Sequence, residues 1–222
     1  MIKMVVFDMA GTTVDEDNIV YKTLLKTIND AGYDFSLEQV LATGAGKEKL
    51  TAIKDIIALS GAIPLEQLTN KIYSAFTTEL AAAYDKFELQ PQPGAETLFN
   101  ELKKKNILVV LNTGYNEITA GSILEKLGWK VGVHIDALIT ASDVSKNRPK
   151  PDMILLAMQQ FDITDGNEVI KVGDSIIDIE EGKNAGCHLS IGITSGAHSY
   201  EQLASANPHH IINHLSELLP LL

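Results

Sequence analysis

The spacing of apolar residues changes along the chain and divides it into three regions. Residues 5–7 are Val-Val-Phe, a short apolar run that ends at Asp8 and a Gly-Thr-Thr turn. Such a run predicts a buried parallel strand. Over residues 15–88 the apolar positions recur at helical spacing, and beyond residue 88 short apolar runs alternate with helical segments. The pattern predicts an α/β fold in which an all-helical insertion follows the first strand.

The insertion is predicted to contain four helices. They cover about residues 18–31, a segment that begins at Ser36, the segment from Leu50 to Leu59, and about residues 64–84. A loop, Thr43-Gly44-Ala45-Gly46-Lys47, separates the second helix from the third. Each helix has one apolar face, so the four are expected to pack against one another.

The chain returns to the sheet through the segment 89–94, whose two prolines and one glycine predict a stiff connection. The predicted organisation is a core domain of residues 1–14 and 90–222 and a helical cap domain of residues 15–89. The junctions near residues 14–17 and 88–93 are expected to act as hinges.

The remainder of the chain alternates strands with helices. Strands are predicted near residues 107–111, 137–139, 169–173, 189–192 and 210–212. This alternation is typical of a parallel, doubly wound sheet covered by helices on both faces. In such sheets the ligand crevice lies outside the carboxyl ends of the strands.

Composition narrows the classes of partner. A net charge of -11 and a pI near 4.9 argue against nucleic acid or an anionic membrane as a partner, although a small anionic ligand depends only on local charge. The single cysteine, Cys187, excludes a disulfide within the chain. Neither a secretory signal pattern nor an apolar run of about 18 residues is present. These features favour a cytoplasmic protein.

Four predicted strands end in residues that suit the handling of a phosphoryl group. The four segments are Asp8-x-Ala10-Gly11-Thr12, Asn112-Thr113-Gly114, Arg148-Pro149-x-Pro151 and Gly173-Asp174-x-x-x-Asp178. Asp8 is a candidate nucleophile, and Thr113 with the backbone N–H groups near Gly114 is suited to phosphate oxygens. Arg148 supplies a fixed positive charge. Asp8 and Asp174, together with phosphate oxygens, are suitable ligands for Mg²⁺.

This set of segments, in this order, resembles the haloacid dehalogenase superfamily of phosphotransferases. The resemblance implies a Rossmann-like core with an inserted cap and a phospho-aspartyl intermediate at Asp8. It also implies that Thr113 and Arg148 bind the phosphoryl group and that the substrate site is lined by Gly11, Thr12, Gly114 and Tyr115. The implied Mg²⁺ ligands are Asp8, the Ala10 carbonyl and Asp174. Asp178 would hold the water shell of the metal or orient Arg148.

Ala10 distinguishes this chain from most phosphatases of the superfamily, which carry a second aspartate at this position as a general acid. The sequence Asp-x-Ala-Gly-Thr-Thr-Val-Asp resembles the phosphonatase branch instead, whose members hydrolyse phosphonoacetaldehyde. In that branch a cap lysine forms an imine with the aldehyde, and Lys47 has the matching place after the glycine-containing loop. A reactive lysine must be neutral, so its pKa would have to be lowered.

Two departures from the branch leave the role of Lys47 open. Leu50 stands where the branch has a histidine, and Ala45 and Gly46 are smaller than its apolar residues. Lys47 is therefore either the imine-forming residue or a simple cation that binds the substrate. The corresponding substrates are phosphonoacetaldehyde, or a phosphate ester or anhydride such as phosphoglycolate or pyrophosphate. A non-catalytic module that binds a phosphorylated ligand is the remaining alternative, and the resemblance implies a homodimer formed through the cap.

Overall fold

The computed structural model describes all 222 residues as strands, helices and short connections. In chain order the elements are β1 (Met4–Phe7), β2 (Val14–Asp15), α1 (Ile19–Asp30), α2 (Leu37–Gly44), α3 (Lys49–Ala58), α4 (Glu66–Lys86), β3 (Gln90–Pro91), α5 (Ala95–Lys104), β4 (Leu108–Thr113), α6 (Glu117–Leu127), β5 (Ala137–Thr140), α7 (Asp152–Gln160), β6 (Val169–Gly173), α8 (Ile176–Asn184), β7 (Leu189–Ile193), α9 (Tyr200–Ser205) and β8 (His210–Ile212). Two 3₁₀ helices cover Gly166–Glu168 and Leu215–Leu221.

Six strands form one parallel sheet in the order β5-β4-β1-β6-β7-β8. The chain runs outward from β1 through β4 to β5 and then crosses to β6 on the other side of β1. The strand order therefore reverses next to β1, which is where ligands bind in open α/β sheets. The predicted α/β class, with its Rossmann-like parallel sheet, is confirmed.

Alternate side chains of β1 enter two separate apolar layers. Val5 and Phe7 belong to the larger layer, in which the rings of Phe7 and Phe99 lie 5.7 Å apart. Met4 and Val6 belong to the smaller layer, beneath Met153 of α7. All four residues of β1 are fully buried, and each buried side chain of this size stabilises the fold by about 1.5–3 kcal/mol. The strand that precedes Asp8 is thus packed on both of its faces.

The four helices of the insertion pack on one another, α1 against α4 and α2 against α3. The two chain segments that connect them to the sheet pair as an antiparallel ribbon, β2 with β3, in which Val14 lies opposite Pro91. The ribbon coincides with the segments in which we expect hinges. The domain boundaries and the hinge motion remain predictions.

Several element ends differ from the sequence-based prediction. The second helix starts at the capping box formed by Ser36 and Gln39 and continues to Gly44, two residues into the predicted loop. The C-terminal helix is a 3₁₀ helix that contains Pro220, which has no N–H for an α-helical hydrogen bond. No helix of the chain has both the length and the apolar character needed to cross a membrane.

Candidate active site

Asp8 follows β1 directly and begins a tight turn that is held by its own polar groups. The Thr13 hydroxyl donates to the Asp8 carbonyl (2.9 Å), and the Gly11 N–H donates to the Val14 carbonyl (2.9 Å). Gly11 has a φ of 79°, and a Cβ at this position would overlap the carboxylate of Asp174. Glycine is needed here because the chain turns with a positive φ while Asp174 approaches it. The turn therefore places the carboxylates of Asp8 and Asp174 side by side.

Asp8, Asp174 and Asp178 form a buried acidic cluster. One carboxylate oxygen of each lies within 4.8 Å of the others. Burial raises the pKa of Asp174 well above its usual range, and the charges of Asp8 and Asp178 act in the same direction. Three clustered carboxylates repel one another unless positive charge lies between or beside them. Their oxygen atoms are the type of ligand that a divalent metal ion prefers, so the cluster could hold one.

Arg148 supplies positive charge on one side of this cluster. Its Nη1 lies 2.7 Å from Asp8 Oδ1 and 3.0 Å from Asp178 Oδ1, and its Nε donates to Glu181 (3.0 Å). Burial opposes the charge of Arg148, but Asp178, Glu181 and Asp8 outweigh burial and raise the pKa of the guanidinium group. Arg148 is therefore fixed as a cation next to the Asp8 carboxylate.

Lys171 and Glu181 complete the network and were not found by sequence reasoning. Lys171 Nζ lies 3.0 Å from Asp178 Oδ1, 3.2 Å from Glu181 Oε2 and 2.6 Å from the Asn112 side-chain oxygen. Burial acts to raise the pKa of Asp178, but Arg148 and Lys171 outweigh it, so this pKa is lowered. A lysine inside the apolar strand Val-Ile-Lys-Val-Gly was the available signal, because a buried lysine needs anionic partners.

Two hydroxyl groups lie buried at this edge of the sheet, one in the loop after β1 and one on the last residue of β4. Thr12 is fully buried, and its hydroxyl has no hydrogen-bond partner. Thr113 is also buried, and its Oγ1 accepts a hydrogen bond from the Tyr115 N–H (3.2 Å). A buried hydroxyl without a partner costs free energy unless a ligand completes it. Thr12 is thus free to donate to an anionic group that enters the site.

The helical insertion is closed over these loops. The Gly46 carbonyl lies 3.4 Å from Arg148 Nη1, and a Cβ at Gly114 would lie only 2.6 Å from the Lys47 carbonyl. Only 5% of Asp8 is exposed in this arrangement. A cleft of about 400 Å³ lies between α4 and α6, and Tyr84 forms part of its wall. The short contacts require glycine at position 114, which is one of the predicted substrate-site residues.

The two neighbouring lysines of the cap loop have different environments. Lys47 Nζ pairs with Asp55 at 2.6 Å, and 24% of its side chain is exposed. Lys49 is only 6% exposed, and its Nζ lies 5.1 Å from the ring centre of Tyr115 and 5.6 Å from that of Tyr21. Burial lowers the pKa of Lys49 to about 8. The structure therefore brings Lys49 to the site and holds the amine of Lys47 on Asp55.

The spacing of α3 contains a signal for this difference. Lys49 is the first residue of the helix, and Ala52, Ile53 and Ile56 follow it at three, four and seven residues. These positions share one helix face, and all of them are buried. The corresponding positions after Lys47 are partly or fully exposed. Lys49 thus lies at the start of the buried face.

Comparison with known proteins places the chain in a family. The sequence model of haloacid dehalogenase-like hydrolases matches residues 2–186. The chain belongs to this family. It is 32% identical over 210 residues to a phosphonoacetaldehyde hydrolase of Lactiplantibacillus plantarum, which covers 88% of this chain and 77% of the relative. A phosphonoacetaldehyde hydrolase of Latilactobacillus sakei is 30% identical over 206 residues, covering 86% of this chain and 75% of the relative.

Solved structures share the fold of this hydrolase. A phosphonoacetaldehyde hydrolase-like protein from Oleispira antarctica superimposes with a TM-score of 0.84, at 21% identity, and the match covers 99% of this chain and 91% of that one. The haloacid dehalogenase-like hydrolase is therefore an enzyme of the phosphatase type in the phosphonatase-like branch, as the sequence predicts.

Within this hydrolase, the structure brings most of the predicted site residues together. Asp8, Asp174, Asp178 and Arg148 form one cluster, and Thr12, Thr113, Gly114 and Tyr115 lie in the loops beside it. Ala10 lies in the Asp8 turn, where it pairs with Val14. Lys47 is the exception, because its amine is engaged by Asp55. The roles of these residues remain predictions.

Proposed function

We propose that the protein is an Mg²⁺-dependent hydrolase of phosphonoacetaldehyde, in which Asp8 receives the phosphoryl group. The observation that supports this substrate is the buried Lys49 amine, which lies on Tyr115 in the loop after β4 and has a lowered pKa. The phosphonoacetaldehyde hydrolases among the relatives support the same choice. A carbonyl substrate explains why an amine is held within the closed site.

The oxygen-rich cluster fits Mg²⁺. Asp8, the Ala10 carbonyl and Asp174 would hold the ion, and Asp178 would hold its water shell or orient Arg148. Bound there, Mg²⁺ supplies positive charge between the carboxylate of Asp8 and an anionic substrate. The Arg148 guanidinium, 2.7 Å from Asp8, would bind phosphoryl oxygens together with Thr113 and the unpaired Thr12 hydroxyl. The remaining loop residues, Gly11, Gly114 and Tyr115, would line the substrate site.

Lys49 replaces Lys47 in the mechanism that we propose. The neutral Lys49 amine attacks the aldehyde carbon, and loss of water gives a protonated imine. Electrons of the C–P bond then flow into the imine as the phosphoryl group passes to Asp8, which leaves an enamine on the carbon side. This route needs no acid at position 10, where the chain has alanine. Lys47, whose amine is paired with Asp55, would keep at most a role as a cation that binds the substrate.

A screen of three substrates tests the proposal. The purified protein is incubated with Mg²⁺ and phosphonoacetaldehyde, phosphoglycolate or pyrophosphate, and phosphate release is measured. We expect phosphonoacetaldehyde to be hydrolysed at least about 100-fold faster than the other two, by kcat/KM, because only it forms an imine. Borohydride added with the aldehyde should inactivate the enzyme and attach the aldehyde carbons to Lys49.

The second candidate is a phosphatase for a small phosphate ester or anhydride, such as phosphoglycolate or pyrophosphate. It is favoured by the pKa of Lys49, near 8, because most of this lysine is then protonated at pH 7 and can bind a substrate carboxylate. Faster hydrolysis of phosphoglycolate, without borohydride labelling, would decide for it. Tight binding of a phosphorylated ligand without phosphate release would indicate a non-catalytic module.

A substitution at Gly196 tests the metal site without changing any ligand. A Cβ at this position would overlap the carboxylate of Asp174, which also accepts a hydrogen bond from the Ala197 N–H (2.6 Å). Gly196→Ala should displace Asp174 and raise the Mg²⁺ concentration for half-maximal activity by about tenfold or more. Titration of phosphate release with Mg²⁺ measures this change.

The matched control is Gly121→Ala in α6, where a Cβ would meet no atom within 4 Å. This variant should keep the metal dependence of the original chain, and its stability should stay equal or rise slightly. An unchanged Mg²⁺ dependence in Gly196→Ala would argue against Asp174 as a metal ligand.

The surroundings of the enzyme are also part of the proposal. We expect it to act in the cytoplasm as a homodimer formed through the cap, on a small anionic substrate and not on nucleic acid or membrane. The cap should open at the β2–β3 ribbon to admit the substrate and should close during the reaction to exclude water.

A further inference from the structure

A buried carboxyl group lies near Lys49, and no step described so far uses it. Glu16 follows β2 at the start of the cap, and only 2% of it is exposed. Its Oε2 accepts one hydrogen bond from the Val20 N–H (2.9 Å) and one from the Tyr84 hydroxyl (2.9 Å). Because a buried carboxyl group without a salt bridge is costly, its presence here calls for a role.

A line of hydrogen bonds leads from Glu16 towards the amine. The Tyr84 hydroxyl of α4 lies 2.7 Å from the Tyr115 hydroxyl, and the ring of Tyr115 carries the Lys49 amine on its face. Glu16 and Tyr84 belong to the predicted cap, whereas Tyr115 belongs to the loop after β4. The Glu16–Tyr84–Tyr115 hydrogen bonds therefore form only while the cap is closed over the core. They end at the Tyr115 hydroxyl, because the Lys49 amine donates to the Lys47 carbonyl (2.8 Å), and the aldehyde oxygen would join the Tyr115 hydroxyl to the amine during the reaction.

We propose that Glu16 is the proton carrier for the Lys49 amine and acts through the hydroxyl groups of Tyr84 and Tyr115 during imine formation. The proposal rests on the function proposed above, because it requires Lys49 to react as an amine. Lys49 is the catalytic residue, because its nitrogen bonds to the substrate. Glu16 does not touch the substrate and is a positioning residue that supplies and takes back the proton through the two tyrosine hydroxyl groups.

The proton balance of imine formation matches one carboxyl group. The Lys49 nitrogen bonds to the carbonyl carbon, and the carbonyl oxygen takes the proton that Glu16 carries. The nitrogen, now positive, returns one proton to the Glu16 carboxylate. The hydroxyl group then leaves as water with that proton, and the nitrogen lone pair completes the C=N bond. The products are a protonated imine, water and the Glu16 carboxylate, with no net change in charge.

The electrostatic setting suits such an exchange. Burial raises the pKa of Glu16 to about 7, and burial lowers the pKa of Lys49 to about 8. Because these values differ by little, a proton moves between the two groups at small cost in free energy. The other charged or titratable groups that act on the pair are Asp8, Arg148, Glu48, Tyr21, Tyr84 and Tyr115.

Glu16→Gln tests the proposal, because glutamine keeps the shape and an acceptor oxygen but carries no exchangeable acid proton. The measurement is the rate at which phosphonoacetaldehyde and borohydride label Lys49, followed by mass spectrometry from pH 5.5 to 9. We expect the maximal rate to fall at least about tenfold. We also expect the acid limb of the pH profile to move to lower pH, because the Lys49 ammonium loses a stabilising anionic neighbour.

The direction of the shift separates this role from a structural one. If Glu16 only held the cap in place, its loss would admit water to Lys49 and return its pKa towards the usual value of about 10.4. The acid limb would then move to higher pH, and this result, or an unchanged maximal rate, would overturn the proposal. The control is Glu125→Gln on the exposed side of α6, which should label as the original chain does.

Tyr84→Phe provides an independent test if the Glu16→Gln variant does not fold. It removes the hydroxyl group between Glu16 and Tyr115 while it keeps the ring. The maximal labelling rate should again fall at least about tenfold, and an unchanged rate would exclude the relay. Failure of the original chain to label at Lys49 would refute the proposed imine function itself. Labelling of the original chain that is insensitive to both substitutions would refute only the role of Glu16.

Discussion

Asp8→Asn is expected to lower kcat for phosphate release by at least about 10⁴-fold, because an amide cannot accept the phosphoryl group. The variant is nearly isosteric, and its side-chain oxygen still accepts from Arg148 Nη1, which lies 2.7 Å away in the original chain. Removal of a carboxylate from the acidic cluster also relieves repulsion with Asp174 and Asp178. We therefore expect an unfolding temperature equal to or above that of the original chain.

Two measurements complete this prediction. Phosphate release is measured at saturating substrate and Mg²⁺, and acid-quenched samples are digested to identify a phosphorylated peptide that contains residue 8. Asp162→Asn is the matched control, because Asp162 is exposed and has a φ of 55°, which asparagine tolerates well. A phospho-peptide from a different part of the chain, or full activity in the Asp8→Asn variant, would remove Asp8 from the mechanism.

The second large effect is expected for Lys49→Arg compared with Lys47→Arg. Arginine keeps the positive charge and the contact with the Tyr115 ring, but it stays protonated and cannot form an imine. Cleavage of phosphonoacetaldehyde should fall at least about 10³-fold in Lys49→Arg, which corresponds to about 4 kcal/mol of barrier. Lys47→Arg should retain activity within about threefold, because an arginine at this position can still pair with Asp55.

The pH dependence of the original chain gives a further readout for the same pair. Below a pKa of about 8 the Lys49 amine is protonated and unreactive, so the rate of imine trapping should rise with pH and level off above about 8. The Lys47→Arg variant should show the same rise of the trapping rate with pH. The Lys49→Arg variant should show no trapping at any pH, because its side chain cannot form the imine. Loss of cleavage in Lys47→Arg, with cleavage retained in Lys49→Arg, would instead support Lys47 as the imine-forming residue.

The parallel sheet and its central acidic residue were readable from the sequence for a local reason. The run before Asp8, Met4–Phe7, is entirely apolar, as a strand buried on both faces must be. The carboxyl ends of three other strands, or the loops after them, carry Thr113, Arg148 and Asp174. Because parallel strands all end at one edge of the sheet, chain order alone places these residues together. The ion pairs of Arg148 with Asp8 and Asp178 agree with that reasoning.

The resemblance to the phosphonatase branch pointed to Lys47, which has the matching place after the glycine-containing loop, and left open whether this lysine forms an imine or only binds the substrate. The structure begins α3 at Lys49, after the Glu48 side chain accepts hydrogen bonds from the Leu50 and Thr51 N–H groups. This start sets the rotation of the helix, so that Lys49 faces inward. Lys47 stays outside the helix and turns to Asp55. Two residues of separation along the chain thus decide which amine is buried.

The sequence by itself determined the fold class, the edge of the sheet at which the site lies, and the carboxylates and arginine that meet there. All three depend only on the order of the strands along the chain and on the loops that follow the strands. Only the tertiary structure decided which lysine is desolvated, that Lys171 and Glu181 lie buried among charged partners, and that Glu16 lies buried against the Tyr84 hydroxyl. These outcomes depend on contacts between segments far apart in the chain, such as Tyr84 with Glu16 and Lys171 with Asn112. Burial and partner distance, which set the charge and pKa of a side chain, exist only after those segments have packed.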